Sequence, residues 1–218
     1  GALALFPETS EPEGDRGILP SQMIATLVAE GRIAAEPAVT AEQIQPASLD
    51  LRLGARAFRV RASFLPAPGG SVDARLSALA MNEIDLTKGA VLERGCVYVA
   101  ELAESLNLPK SLAARANPKS SIGRLDVFVR LIAERVAAFD QIPRGYRGKL
   151  WVEIAPRTFS VAVRTGDRVN QLRFQRGATS YSGPALAKLD AERGLVFDAA
   201  GPTRATIAVR SPSRVINT

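Results

Sequence analysis

Apolar and polar residues alternate strictly through SLDLRLG (48–54), a period of two that sets Leu49, Leu51 and Leu53 on one face of a strand. The alternation continues through AFRVRA (57–62). Short runs of strand character follow in VLERGCVYVAEL (91–102), LAARANP (112–118), KLWVEIAP (149–156), FSVAVR (159–164) and VNQLRF (169–174), most of them bounded by Gly, Pro, Asn or Asp. VFVRLIAERVAAF (127–139) reads as a further strand, with a helix as the competing reading. Within KLWVEIA, Leu150, Val152 and Ile154 face one way and Lys149, Trp151 and Glu153 the other. LPAPGGSVDA (65–74) reads as a loop from its Pro and Gly content. SQMIATLVAEGRI (21–33) has the helical period instead: Ser21 serves as N-cap, Ile24, Leu27 and Val28 share a face, and Gly31 ends the helix. Many short strands with regular turns and one small leading helix predict an all-β sandwich or barrel.

The two ends have a different character. Residues 1–17 are rich in Glu, Pro and Gly and are expected to form a mobile lead-in to a domain over 18–177. The start lacks both an initiator Met and the basic region of a secretory signal, so a trimmed, unsecreted chain is expected. Over 178–218, LAKLDAERG (186–194) looks helical, and no acid follows Asp198; a connector, a tail or the opening of a second domain would each fit. No run approaches the ~20 apolar residues of a membrane span. The single cysteine, Cys96, cannot form an internal disulfide, which favours a reducing, cytoplasmic setting.

Charge narrows the partners. With 28 Lys and Arg against 22 Asp and Glu the formal charge is +6, which favours anions such as nucleotides. Aromatic residues make up only 6%, which argues against a base-stacking nucleic-acid surface. The most restrictive number is zero histidines. Without histidine and with one cysteine, the usual zinc sites, the zinc deaminases and the Ser–His–Asp and Cys–His triads are excluded on ligands alone. Chemistry is left to carboxylates, Lys, Arg, hydroxyls, backbone groups or a bound water.

Two segments offer such chemistry. NPKSSIGR (117–124) places Ser120 and Ser121 between Lys119 and Arg124 in a turn fixed by Pro118 and Gly123, with no acid present. That is either a polar turn or a phosphate grip. IPRGYRGKLWVEIAP (142–156) reads as a turn at Arg144-Gly145 followed by a strand carrying Glu153. Glu153 is either an ordinary surface glutamate or, beside Trp151 and a cationic loop, a tuned acid/base group. In TGDRVNQLRF (165–174) the Asp167-Arg168 pair reads as structural.

Taken together, IQPASLDLRLG (44–54), PKSSIGR (118–124), RGYRGKLWVEI (144–154) and TGDRVNQLRF (165–174) resemble, in order and spacing, the four motifs of the dCTP deaminase/dUTPase superfamily. Within it the chain most resembles the first domain of the longer bacterial dCTP deaminases built from two tandem copies. The resemblance implies a dUTPase-like, distorted jelly-roll β-barrel that assembles as a trimer or pseudo-trimer with sites between neighbouring domains. The aspartate that dUTPases place three residues before the tyrosine of Tyr-Arg-Gly is Pro143 here, and Asp140 would reach that place only by a different loop path. Glu153 stands where deaminases carry a glutamate. Both differences favour deamination of dCTP to dUTP and ammonia, in thymidylate supply.

By the same resemblance Glu153 is the proton shuttle, Ser120 helps to hold the attacking water, and Arg124 stabilises the site and its nucleotide. Lys119, Ser121 and the amides of Ile122 and Gly123 bind the triphosphate, with Mg²⁺ carried mainly by phosphate oxygens, while Trp151 and Val152 line the nucleoside pocket through the strand backbone. dTTP would act as an inhibitor. Lys119 replaces the family's arginine, and Leu189 stands where the closing tail has its tyrosine. A bifunctional enzyme that also cleaves dUTP, or an inactive nucleotide-binding domain, are the alternatives.

Overall fold

Leu49, Leu51 and Leu53, the apolar side of the alternation, are fully buried in the main core. The strand that carries them belongs to the first of two compact units, Gly1–Gly177 and Ala178–Thr218. The computed structural model describes residues 17–177 apart from residue 68, then Glu192 and the segments 196–197, 208–211 and 214–215. The first unit runs through β1 (Gly17–Ile18), α1 (Ser21–Ala29), β2 (Ile33–Ala35), β3 (Ile44–Gln45), β4 (Ser48–Val60), α2 (Val72–Leu79), β5 (Ala80–Asp85) and β6 (Ala90–Leu92). It continues with β7 (Val97–Asn107), β8 (Leu112–Pro118), α3 (Ser120–Gly123), β9 (Val127–Ala133), β10 (Gln141–Ile142), β11 (Arg147–Pro156), β12 (Val161–Val163) and β13 (Arg168–Arg176). In the second unit, Ala208–Ser211 pairs antiparallel with Val196–Phe197 and with Arg214–Val215. The helix predicted over 186–194 falls outside the described residues but for Glu192, and Leu189 lies outside them.

Hydrogen bonds order the main sheet β10-β8-β13-β4-β7-β11-β9, with β1 added on β13, β2 on β7, and β3 and β5 on β4. The two ends of that path meet at Asp140. Ala116 of β8 donates its N–H to the Asp140 carbonyl at 2.9 Å, and Asp140 donates its own to Leu131 of β9 at 3.0 Å. The Asp140 carboxylate then accepts the Leu131 N–H at 2.7 Å. Asp140 makes this seam at φ 59°, a left-handed conformation that Asp tolerates better than most residues. The result is a nearly closed all-β barrel, as the strand pattern predicts.

The barrel is covered outside as well as filled inside. Leu150, Val152 and Ile154 point into the main core with Val127, Val129, Leu131 and Ala133. On the outer face Trp151, Val99, Ile132 and Val60 pack against Phe64, Val72 and Leu76. Three expectations are corrected here. The loop reading of 65–74 fails from Ser71, whose hydroxyl caps α2 by accepting the Ala74 N–H at 3.1 Å; Val72 and Leu76, four residues apart, supply the face that docks this helix. Ser21 is the first residue of α1 and not its N-cap, because Pro20 occupies that position and its carbonyl accepts the N–H of Met23 and Ile24. The strand reading of 127–139 holds as far as Ala133, where alternate residues enter the core, and fails beyond it, since 134–139 form turns and bends. Gly17, placed in the lead-in, already pairs with Arg176. Among the described residues no helix is long and apolar enough to cross a membrane.

The polar side of the β4 alternation is buried too. Arg52 donates its backbone N–H and its Nε to the two oxygens of Glu104, each at 2.8 Å, and its Nη2 to the Pro37 carbonyl at 2.6 Å. Gln43 adds a third bond to Glu104 at 2.8 Å and one to the Asp50 carbonyl at 2.9 Å. A buried charge stripped of its partner is worse than a pair never made. Glu104→Ala should therefore cost about 3–5 kcal/mol of folding free energy, measured by urea titration, with Glu104→Gln losing less.

Candidate active site

The serine turn sits at the end of β8. Ser120, Ser121, Ile122 and Gly123 form the single turn α3 with Lys119 at its N-cap position and Arg124 at its C-cap. Ser120, Ser121, Gly123 and Arg124 are exposed and Ile122 is half-buried. Among the described residues no hydrogen bond or ion pair engages the hydroxyls of Ser120 and Ser121 or the Arg124 guanidinium, so these three groups are uncommitted, whereas the amides of Ile122 and Gly123, expected to bind an anion, donate to the Lys119 carbonyl at 2.9 and 3.1 Å. Lys119 differs: its ammonium is ion-paired with Asp50, which Arg168 also approaches at 3.8 Å. Asp50 is 1% exposed, and its Oδ1 has no partner among the described residues. A cavity of about 450 Å³ opens beside the turn, lined by Pro118, Gly123, Asp126, Phe128 and Arg157 among others. That is the size range of small-molecule sites.

Glu153 is not a surface residue. It stands on the outer face of β11 with 1% exposure, directly opposite Arg130 of β9 and Val99 of β7. Arg130 donates to Glu153 Oε1 from Nη2 at 2.6 Å and from Nε at 3.1 Å. Oε2 is buried without a partner among the described residues. A desolvated carboxylate with one bound and one vacant oxygen can exchange a proton at the vacant one. Within one chain no hydrogen bond or ion pair among the described residues joins Glu153 to the serine turn. Phe128, which lines the cavity, has its ring centroid 4.9 Å from the Arg130 guanidinium.

Trp151 and Val152 are fully buried, and their strand pairs on both sides, with β7 and with β9. Trp151 donates Nε1 to Glu134 at 2.9 Å, and the other oxygen of Glu134 accepts the Val72 N–H at 3.0 Å, tying α2 to the sheet. Tyr146, after the Arg144-Gly145 turn, accepts the Glu134 N–H and donates to the Lys149 carbonyl; burial pushes its hydroxyl up to about 12. Gly145 takes φ 69°, the left-handed turn conformation that glycine allows. Asp167 holds its turn by accepting the Arg164 N–H at 2.9 Å, while Arg168 donates to the Glu42 carbonyl at 2.8 Å and approaches Asp50 at 3.8 Å, so both neighbours brace the scaffold.

The sequence reading missed Arg130, Glu134 and Asp50. Each is a polar position within a strand or at its end, and only the tertiary fold brings it to its partner: Arg130 to Glu153 across β9 and β11, Glu134 to Trp151 and Val72, and Asp50 to Lys119 beyond the end of β8.

Burial raises the Asp140 carboxyl above its usual range; the Leu131 N–H and the Arg130 charge oppose the rise, and the Glu153 charge adds to it. A raised pKa in the folded chain stabilises the protonated form, an advantage complete below the unfolded carboxylate's pKa and lost as pH rises through the folded value. Asp140→Asn keeps an acceptor for Leu131 and removes the titration. Relative to wild type, the variant's melting temperature should therefore rise as pH increases from about 4 to about 7.

Known proteins bear on this site. A family model, the 2'-deoxycytidine 5'-triphosphate deaminase (DCD) N-terminal domain, matches residues 15–178. The crystal structure of 2'-deoxycytidine 5'-triphosphate deaminase from Agrobacterium tumefaciens is similar with a TM-score of 0.76 and 48% identity, over 83% of this chain and 55% of that one. This chain thus spans little more than half of the Agrobacterium chain. A dCTP deaminase from Halorubrum lacusprofundi is 30% identical over 195 residues, 87% of this chain and 91% of the relative. A dUMP-forming dCTP deaminase from Methanosphaera stadtmanae is 29% identical over 163 residues, 72% of this chain and 78% of the relative.

Proposed function

The chain belongs to the dCTP deaminase family, and on that premise we propose that it hydrolyses dCTP to dUTP and ammonia with Glu153 as the proton shuttle. The observation that carries this reading is the Glu153 carboxylate itself, desolvated on a sheet face with Oε2 vacant, in a chain without histidine. Water gives its proton to Oε2 as its oxygen bonds to cytosine C4, and Glu153 passes that proton to ring N3. Glu153 then takes the new C4 hydroxyl proton and hands it to the amino group. The C4–N bond breaks, ammonia leaves, and the C4 carbonyl of dUTP remains. One carboxyl group serves each step without a metal-bound hydroxide.

The free donors of the turn support the rest of the assignment. Ser120 holds the attacking water and Arg124 steadies the reacting end, while Ser121 takes the triphosphate; Lys119 and the amides of Ile122 and Gly123 would join it only by leaving Asp50 and the Lys119 carbonyl, to which they are bound. Trp151 and Val152 form the floor from which Glu153 is presented. Because the turn and Glu153 are not joined within one chain, the complete site is formed between domains, with the turn of one facing the strand of another in a trimer or pseudo-trimer. Among the described residues no group of three His, Cys, Asp or Glu side chains converges. Near the turn, Asp50 is taken by Lys119, and Asp126 accepts the Thr158 hydroxyl at 2.5 Å. This donor set fits Mg²⁺ carried by phosphate oxygens, where it would neutralise triphosphate charge. dTTP, with the same triphosphate, would compete.

The dUMP-forming relative favours a second reading in which dUTP is cleaved onward to dUMP and pyrophosphate. Pro143 offers no carboxylate for that step, and Asp140 is bound to the Leu131 N–H. These features support release of dUTP. Ammonia release from dCTP with Mg²⁺ should fall about 10²–10⁴-fold in Glu153→Gln, with dCTP binding retained in calorimetry. Chromatography of the wild-type products should show dUTP; dUMP with pyrophosphate would establish the second reading. Binding without ammonia release by wild type would make the chain a nucleotide-binding domain only.

A further inference from the structure

The grip on Glu153 is one-sided. An arginine facing a carboxylate commonly takes one oxygen with each of two nitrogens. Here both Nε and Nη2 of Arg130 converge on Oε1, at 3.1 and 2.6 Å, and Oε2 is left vacant inside the protein. Arg130 is itself held on several sides. Its Nη2 also donates to Ser63 at 2.8 Å. Its guanidinium lies 3.7 Å from the ring centroid of Phe139 and 4.9 Å from that of Phe128, both cation–π distances. Phe139 is carried by the loop that Asp140 pins to β9. A buried ion pair is weak support for stability, because apolar residues of similar volume often do as well. What this one does secure is the orientation of a carboxylate.

We propose that Arg130 is the positioning residue of the deamination: by seizing Oε1 alone, and by being held through Ser63, Phe139 and Phe128, it fixes the Glu153 carboxylate so that Oε2 is the oxygen presented to water and to the pyrimidine ring. This rests on the proposed role of Glu153 and goes beyond it. A proton shuttle must reach water, N3 and the amino group in turn, and a carboxylate free to rotate would offer them the wrong oxygen or the wrong distance. A displacement of ~1 Å at a reacting group can cost ~10²-fold in rate. Lysine can reach Oε1 but has no planar fork to hold the angle.

The test compares wild type, Arg130→Met, Arg130→Lys and Glu153→Gln in the intact protein, measuring kcat and KM for ammonia release from dCTP with Mg²⁺, dCTP binding by calorimetry, and melting temperature. Arg130→Met should lower kcat about 10²-fold, and Arg130→Lys should recover part of the loss, with KM and dCTP affinity within about threefold of wild type. If Glu153→Gln is inactive while Arg130→Met keeps wild-type kcat, the Arg130 proposal falls and the function stands. If Glu153→Gln keeps wild-type kcat, or wild type releases no ammonia, the proposed function fails and takes this inference with it. A kcat loss shared equally by both Arg130 variants and tracking a fall in melting temperature would make Arg130 merely structural and overturn the proposal. Should Arg130→Met not fold, Arg130→Lys decides: a folded variant with lowered kcat and unchanged KM supports the role, and wild-type kcat refutes it.

Discussion

From Leu150 to Pro156 strand β11 is covered on both faces, and that constraint governs the rest. Its inner side chains fill the barrel, and its outer side is roofed by α2 and the segment before it. A strand placed in this way has no wet face on which to leave a charge, and an unpaired buried carboxylate would cost several kcal/mol. Glu153 is tolerated there because the register of β9 on β11 sets Arg130 directly across from it. Neutralisation and orientation of the carboxylate therefore come from one geometric fact. The pairing removes the penalty at one oxygen and leaves the other without a partner among the described residues.

The same logic of polar groups buried in pairs recurs around the barrel. Glu104 gathers Arg52 and Gln43 on β4 and β7; Asp50 holds Lys119 beneath the serine turn; Glu134 ties Trp151 to α2. Asp140 is the most economical of these, since it closes the sheet with its backbone and braces β9 with its carboxylate. The loop it holds carries Phe139 over Arg130. Closure of the fold and stiffness of the site thus depend on neighbouring residues of one loop.

The serine turn follows a different rule. Its hydroxyls and its arginine are left at the surface without protein partners, as suits donors kept for an anion, while Lys119 below it is neutralised by Asp50. A lysine in place of the family's arginine fits that geometry, because a single ammonium can serve one carboxylate without a fork. Among the described residues no hydrogen bond or ion pair joins the turn to the Glu153 carboxylate.

The sequence by itself determined the strand pattern, the core leucines of β4, the two faces of β11, the polar turn at 117–124 and the exclusion of histidine chemistry. Each is local: a period of two, a turn composition or an absent residue type can be read without knowing what lies across the fold. It also singled out Glu153, but only through resemblance, since on local grounds a strand glutamate is most often a surface residue. The burial of Glu153, the one-sided hold of Arg130, the commitment of Lys119 to Asp50 and the docking of α2 were decided by tertiary structure. Which residue stands opposite which is set by strand register and barrel closure, and those pairings join positions between 23 and 69 residues apart in the chain.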